Sequence, residues 1–347
     1  MRREDSVPGR VATSGLALLG LLAAGLGDLP AATAADSVNI YTARHYSSDR
    51  ILYEEFTERT GITVNQLSGK SDALIQRVKS EGRNTPADLL ITVDAGRLWR
   101  AEEAGILAEV DTETLNARIP ANFRHPEGRW FGYSARARVI FYDKARYDTP
   151  PVTTYEGLAD PSLKGEVCVR SSANVYNQSL LASLIAHHGA ETAQDWAEGV
   201  VTNFAREPEG GDTDQIRGVA AGECGVAVAN HYYFVRLLDS APEVAEQVGL
   251  VFPNQDGRGA HLNVSGAGVI ADGPNRANAV RFLEFLASDF AQRYFADGNN
   301  EYPSVPGVAP NTKLEALGDF KIDDLNVAAY GENQPEAQKI FDRAGWK

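Results

Sequence analysis

The sequence is poor in the residue types that carry hydrolytic or redox chemistry. Its 347 residues include six histidines and only two cysteines, and these two, Cys168 and Cys224, form no CxxC motif. The sequence also lacks paired Cys-His spacings, an HExxH motif and a nucleophile elbow. These absences argue against a zinc site, a dithiol redox site and a secreted hydrolase, so we expect a protein that is not an enzyme.

Long apolar runs are missing as well. Arg2, Arg3 and Arg10 precede an uncharged, mostly apolar stretch over residues 11–26, which is shorter than the roughly 20 residues that a membrane-spanning helix needs. This pattern predicts a secretory signal peptide over residues 1–34 and leaves open whether the Sec or the twin-arginine route exports the chain. No cysteine lies near the predicted cleavage point, so we expect no lipid anchor and a soluble exported protein.

Positive charge is in deficit, with 33 Lys and Arg against 47 Asp and Glu, and the formal net charge is −14 at pH 7. An acidic surface argues against nucleic-acid binding and suits a cationic ligand, although acidity is mostly a solubility trait. Since the leader directs the chain to an oxidising compartment, the two cysteines are expected to form a disulfide.

Short β-rich runs alternate with amphipathic helical stretches, which predicts an α/β fold. The first set has strands over residues 38–41, 63–66 and 89–93, and helices over residues 48–60, 71–81 and 95–104. The second set has strands over residues 166–170 and 225–229, and helices over residues 177–188, 192–203 and 232–238.

Extended segments near residues 138 and 264 are predicted to cross between two lobes. The C-terminal helices would then complete the first lobe. We therefore expect a discontinuous N-lobe of residues 35–137 and 265–347, a C-lobe of residues 138–264, and a cleft at a hinge made of two crossing strands.

Three segments share one arrangement, in which a short strand and a loop lead to tyrosine at or near the start of a helix. They supply Tyr46, Tyr176 and the adjacent pair Tyr232 and Tyr233. Because ligands of open α/β sheets bind beyond the carboxyl ends of the strands, these side chains can converge on one crevice. A phenol with a pKa of about 10 is neutral at physiological pH, and only a strongly acidic metal makes the phenolate a favoured ligand. The pattern therefore predicts a site for Fe³⁺, and tyrosine-ligated iron has precedent in haem enzymes.

Four phenolates on Fe³⁺ would leave a net charge of −1, which is costly in a closed cleft unless a cation offsets it. The candidates are Arg236, one helical turn after Tyr232, and Arg136, on the approach to the first crossing strand. The cysteines add a geometric hypothesis, because each lies eight residues before a candidate ligand. A Cys168–Cys224 disulfide between neighbouring strands would brace this half of the site.

Ordered blocks of the mature chain resemble the ferric-iron-binding periplasmic proteins of ABC transporters, most closely the cyanobacterial iron-uptake type. The blocks include IYTARHY, SARARVIFYDK, RSSANVYNQSLLASLI and GVAVANHYYFVR. The resemblance implies a two-lobed type II periplasmic binding protein, monomeric and soluble in the periplasm, that delivers its ion to an ABC permease in the inner membrane. The metal ligands that it implies are His45, Tyr46, Tyr176, Tyr232 and Tyr233, with Arg136 and Arg236 near the metal.

Several alternatives stay open from the sequence. The same fold could hold a small organic anion or a polyamine, since aromatic boxes also bind organic cations and fold does not fix function. Whether Fe²⁺ is bound, and whether His45, water or an anion completes the shell around Fe³⁺, is also open.

Other polar groups are predicted to be structural. Asp212, Asp214 and Glu223 lie in Gly-rich surroundings that indicate a solvated loop. The histidine pair at positions 187 and 188 is expected to stabilise a helix C-terminus. His261 is expected at the surface.

Overall fold

The computed structural model describes residues 36–44 and 46–347. The predicted signal peptide and His45 lie outside the described residues. Within the described part of the chain, no helix is long and apolar enough to cross a membrane.

The described residues form nine strands. They are β1 (Ser37–Thr42), β2 (Thr63–Ser68), β3 (Leu89–Thr92), β4 (Phe131–Asp143), β5 (Val167–Cys168), β6 (Val226–Asn230), β7 (Val248–Val251), β8 (Leu262–Val269) and β9 (Tyr302–Pro303).

Twelve α-helices alternate with these strands in the described ranges. They are α1 (Asp49–Thr60), α2 (Ser71–Glu81), α3 (Ala95–Glu103), α4 (Glu113–Arg118), α5 (Val175–Thr202), α6 (Asp212–Ala220), α7 (His231–Ser240), α8 (Pro242–Gln247), α9 (Arg276–Leu286), α10 (Asp289–Asn299), α11 (Thr312–Glu315) and α12 (Ala328–Ala344). The α/β class predicted from the sequence is confirmed.

The first three strands form a parallel group in the order β2-β1-β3, and β8 runs antiparallel to β3. All four residues of β3 are buried, as expected for an apolar strand that is covered on both faces. Apolar side chains of the sheet and of the helices packed on it form one large buried cluster. The carboxyl ends of β1 and β3 therefore lie at the same edge of a rigid sheet.

Strand β4 changes partners halfway along its length. Up to Ala137 it pairs with β8 and β9, whereas from Arg138 onward it pairs with β6 and β7. β5 extends the second group in parallel with β6. The partner change occurs at the position predicted for a crossing strand, which supports a hinge there; the lobe boundaries themselves stay a prediction.

Helix starts next to the strand ends have specific caps. Asp94 Oδ1 accepts a hydrogen bond from the Gly96 N–H at 3.0 Å at the start of α3. Asn174 Oδ1 accepts from the N–H groups of Tyr176 and Asn177 at 3.1 and 3.4 Å at the start of α5. Such side chains satisfy N–H groups that have no partner inside the helix. The cap of α5 thus fixes the turn that carries Tyr176.

One prediction for the second group of elements is confirmed and one is wrong. The helices expected over residues 177–188 and 192–203 are both present as the two segments of α5, which is broken at Gly189, where φ is 82°. The solvated loop expected around Asp212 is wrong, because Asp212 begins α6 and is fully buried. Its carboxylate pairs with Arg138 Nη1 at 2.9 Å and accepts the Asn230 N–H at 2.8 Å.

Candidate metal centre

The structure brings the four predicted tyrosines together. Tyr46 lies between β1 and α1, Tyr176 is in the first turn of α5, and Tyr232 and Tyr233 are in the first turn of α7. The rings of Tyr232 and Tyr233 are 4.1 Å apart between centroids, and the ring of Tyr46 meets that of Tyr232 edge-on at 6.3 Å. Tyr176 interacts electrostatically with each of the other three.

Burial sets the protonation of these phenols. Tyr176 and Tyr232 are almost fully buried, whereas Tyr46 and Tyr233 are half-buried. Burial raises the pKa of Tyr176 to about 12, although the nearby Arg136 guanidinium opposes the rise. Burial, followed by the negative Glu301, raises the pKa of Tyr46, and burial and the neighbouring phenols raise that of Tyr232 well above 10. These three side chains are therefore neutral phenols at pH 7 until a bound cation displaces their protons.

The Tyr232 hydroxyl is buried and has no partner within normal hydrogen-bonding geometry among the described residues. Its interaction with the Tyr176 hydroxyl, outside that geometry, favours the ionised form of Tyr176. A buried polar group without a hydrogen bond is costly. A bound cation, which accepts an electron pair, would therefore give the Tyr232 oxygen the partner that it lacks.

Arginine side chains surround the tyrosine rings. The predicted Arg236 has its guanidinium carbon 4.8 Å from the Tyr232 ring centroid and 5.3 Å from that of Tyr46. The predicted Arg136 is fully buried and lies 5.7 Å from the Tyr176 ring. The sequence reading missed three more guanidiniums near the tyrosines, which belong to Arg44, Arg138 and Arg170.

The sequence does contain a pattern for two of the missed arginines. Arg138 follows Arg136 by two residues, and side chains at i and i+2 of a strand lie on the same face. Both guanidiniums accordingly lie within 6 Å of the Tyr176 ring. Arg44 is two residues before Tyr46 and its guanidinium carbon lies 4.7 Å from that ring.

Buried carboxylates neutralise part of this positive charge. Glu301 pairs with Arg44 at 3.0 Å and with Arg136 at 3.2 Å. In the second strand group, Asp212 pairs with Arg138 at 2.9 Å and, less closely, with Arg170 at 3.4 Å. Neither carboxylate could be expected here from local patterns, since their arginine partners are distant along the chain.

His231, the histidine next to Tyr232, is committed to other contacts among the described residues. His231 precedes Tyr232, but its Nδ1 accepts the Ala137 N–H at 3.1 Å and its Nε2 lies 3.0 Å from the Asn300 carbonyl oxygen, to which it donates. Burial lowers the pKa of His231 to about 4, so that the ring is neutral. Since both nitrogens are engaged, His231 fastens α7 to strand β4.

One histidine prediction is wrong. His261 is buried rather than at the surface, and its ring lies 4.6 Å from that of Tyr330. His187 and His188 lie directly before the break of α5 at Gly189, as expected, and their role at this helix end stays a prediction. They also contact carboxylates, those of Asp323 at 2.7 Å and Glu156 at 2.8 Å. Among the described residues, no three His, Cys, Asp or Glu side chains form a group suited to a metal ion.

The predicted disulfide is present. Cys168 and Cys224 are both buried, with their Cα atoms 5.8 Å apart. Cys168 ends β5, and Cys224 lies two residues before β6, its parallel neighbour. The bond therefore joins the two strands that lead to Tyr176 and to the pair of Tyr232 and Tyr233.

Several known proteins are similar to this chain in sequence and structure over most of its length. A family model described as bacterial extracellular solute-binding protein matches residues 84–323. The chain is 50% identical over 314 residues to iron uptake protein A1 of Synechocystis, which is 89% of this chain and 87% of the relative. It is 25% identical over 332 residues to the major ferric iron-binding protein of Neisseria meningitidis, which is 94% of this chain and 98% of the relative. A Trichodesmium protein solved in complex with iron and citrate ligands is 53% identical and matches with a TM-score of 0.86 over 90% of this chain and all of its own.

Proposed function

Because the chain belongs to the bacterial extracellular solute-binding protein family, we propose that it captures Fe³⁺ in a cleft between two lobes and delivers it to an ABC importer. The two-lobed type II fold predicted from the sequence is confirmed by the family and by the structural matches. The relatives named above are an iron uptake protein and a ferric iron-binding protein, and they do not favour the alternative of an organic anion or polyamine.

The observation that carries the proposal is the convergence of Tyr46, Tyr176, Tyr232 and Tyr233. The four side chains come from three separate segments, and the Tyr232 ring lies 4.1 Å from that of Tyr233 and 6.3 Å from that of Tyr46. A phenolate is a hard anionic ligand, and Fe³⁺ is acidic enough to displace the proton of a phenol whose pKa burial has raised. Binding would also satisfy the buried Tyr232 oxygen.

The surrounding charges fit a ferric tetraphenolate. Fe³⁺ with four phenolates carries −1, and a buried charge of this kind is costly unless it is compensated. Arg236 is half-buried against two of the four rings and has no ion-pair partner among the described residues. We assign it, together with Arg136, to stabilising the phenolates that form when the ion binds.

The distribution of the four tyrosines over two predicted lobes suggests how the protein captures the ion. Tyr46 belongs to the predicted N-lobe, and the other three tyrosines belong to the predicted C-lobe. An ion held by both groups links the lobes, so that closure and capture are one event. His45 is proposed as an additional ligand that improves retention.

Cellular placement follows from the same family. We propose that residues 1–34 are removed on export and that the mature chain acts as a soluble periplasmic monomer, handing its ion to a permease in the inner membrane. Fractionation of cells that express the full chain should recover residues 35–347 in the periplasm, and recovery in the cytoplasm would contradict this placement.

A ferric titration tests the proposed ligand set. Addition of Fe³⁺ to purified protein should produce a visible phenolate-to-iron charge-transfer band that saturates at one iron per chain. The double variant Tyr232→Phe/Tyr233→Phe should lose the band, whereas Tyr142→Phe, a change on β4 at a tyrosine not assigned to the site, should keep it. A wild-type protein that gains no visible band would contradict the proposal.

A further inference from the structure

Residues 299–302, from the last residue of α10 to the first residue of β9, contact both halves of the candidate metal centre. At the centre of this segment, Glu301 is fully buried. Its Oε2 accepts from Arg44 Nη2 at 3.0 Å, and its Oε1 accepts from Arg136 Nη1 at 3.2 Å. One carboxylate therefore holds two guanidiniums that come from different elements.

These two guanidiniums lie against tyrosines of different half-sites. Arg44 is 4.7 Å from the ring centroid of Tyr46, which follows β1. Arg136 is 5.7 Å from the ring centroid of Tyr176, at the start of α5. Glu301 is thus connected to a tyrosine of each half through one arginine side chain.

The residues beside Glu301 reach the same elements. Asn299 Nδ2 donates to Asp49 Oδ1 at 3.0 Å at the start of α1. The Asn300 carbonyl oxygen accepts from His231 Nε2 at 3.0 Å, and the Tyr302 ring lies 4.6 Å from that of His231. The segment therefore touches both the helix after Tyr46 and the helix that begins at His231 with Tyr232 in its first turn.

The Glu301 carboxyl group is ionised at neutral pH. Burial by itself raises the pKa of this carboxyl group, but Arg44 and Arg136 outweigh burial and hold the pKa at about 2. Arg44 has a second carboxylate partner in Asp49 at 2.6 Å. Among the described residues, Arg136 has no ion-pair partner other than Glu301.

We propose that Glu301 is a positioning residue of the iron site, which couples the two half-sites by holding Arg44 against Tyr46 and Arg136 against Tyr176. Glu301 acts through the two arginines and does not coordinate the ion, since both of its oxygens are engaged. The inference rests on the proposed ferric function and adds a residue to it. Partners that orient metal ligands typically change affinity about 10–100-fold when they are lost.

The test begins with Glu301→Gln, which keeps the side-chain shape and removes the charge. The variant should bind Fe³⁺ with the wild-type charge-transfer absorbance per iron, because all four phenols remain, and should release iron to a competing chelator about 10–100-fold faster. Asp49→Asn is the matched control, because it also removes a buried carboxylate from Arg44 but does not contact Arg136. It should accelerate release by less than about tenfold.

A double-variant cycle isolates the route through Arg136. In an Arg136→Gln background, Glu301→Gln should add less than half of its own logarithmic effect on the release rate, because its main target is already gone. The double variant also removes both members of the buried pair, which leaves less uncompensated charge than Glu301→Gln alone. If the single variant does not fold, a double variant that releases iron less than about tenfold faster than Arg136→Gln supports the proposal, and a larger increase contradicts it.

Three results would overturn the role of Glu301 while leaving the ferric site intact. They are a release rate equal to or slower than that of the wild type in folded Glu301→Gln, an unreduced effect of Glu301→Gln in the Arg136→Gln background, and a lower absorbance per iron in Glu301→Gln. A wild-type protein without a charge-transfer band would instead contradict the ferric site itself.

Discussion

The two halves of the candidate metal centre are built in different ways. Tyr176, Tyr232 and Tyr233 are in the first turns of α5 and α7, behind neighbouring strands that the Cys168–Cys224 disulfide joins. The other half is Tyr46, which lies in a short connection between β1 and α1 without a disulfide.

This difference indicates a division of labour. Helix starts, packed strands and a covalent bond hold three phenols in place before any ion arrives, which is the usual requirement for a precise site. Next to Tyr46, the Arg44 guanidinium lies 4.7 Å from the ring centroid and pairs with Asp49 and Glu301. We therefore expect the three-tyrosine half to receive the ion and the Tyr46 half to close over it.

The largest expected effect is that of acidification, which should weaken iron binding by the tyrosines of both halves. Burial raises the pKa of Tyr46, Tyr176 and Tyr232, so each is protonated in the metal-free protein and must lose a proton to bind Fe³⁺. Each proton released makes the apparent affinity fall about tenfold per unit decrease in pH, so three to four protons give a fall on the order of 10³–10⁴ per unit. Chelator competition between pH 5 and 8 measures this slope.

The same pH titration distinguishes the contributions of the two halves to the proton release. Tyr46→Phe should reduce the slope by one proton, because three phenols remain in the other half. An unchanged slope in Tyr46→Phe would show that Tyr46 is not a phenolate ligand.

Single ligand losses sharpen the comparison. Tyr46→Phe and Tyr176→Phe should each weaken iron binding by more than about 100-fold, the upper end for residues that only touch a ligand. If the three-tyrosine half receives the ion, Tyr176→Phe should slow capture as well as speed release, whereas Tyr46→Phe should mainly speed release. Stopped-flow absorbance at the charge-transfer band measures both rates, and equal changes in both variants would contradict the division of labour.

Removal of the disulfide tests what holds the three-tyrosine half. Cys168→Ala/Cys224→Ala should lower the free energy of unfolding by about 4 kcal/mol, given a sequence separation of 56 residues. Iron release should accelerate about tenfold, since the strands behind Tyr176 and Tyr232 lose their brace. Denaturant unfolding with and without iron gives the first value, and wild-type release in the folded double variant would show that packing alone positions the phenols.

The smallest effect is expected at His45. His45→Ala should weaken retention of iron by about tenfold or less and leave the phenolate band in place, because the four tyrosines supply most of the ligand set. A loss of binding as complete as that expected for Tyr232→Phe/Tyr233→Phe would make His45 a principal ligand.

Local patterns predicted the parts of the site that are local in sequence. Helix α2 occupies residues 71–81 as expected, and β3 is the buried apolar strand that its composition indicated. Tyr176 and the adjacent pair of Tyr232 and Tyr233 lie at helix starts because the strand, loop and helix that place each of them are consecutive in the chain.

The buried carboxylates that pair with the arginines near the tyrosines could not be predicted from local patterns. Glu301 is 257 residues from Arg44 and 165 from Arg136, and Asp212 is 74 residues from Arg138. A Gly-rich segment that contains carboxylates has the composition of a solvated loop. Whether a distant arginine packs against one of these carboxylates cannot be read from that local composition. Only the fold shows that Asp212 is buried and that Glu301 pairs with both Arg44 and Arg136.

The most direct test of the ferric site is anomalous X-ray scattering at the iron absorption edge from crystals grown with Fe³⁺. We predict one strong anomalous peak per chain, bound by the phenol oxygens of Tyr46, Tyr176, Tyr232 and Tyr233. A peak elsewhere in the molecule, or none in crystals with the lobes closed, would contradict the central claim.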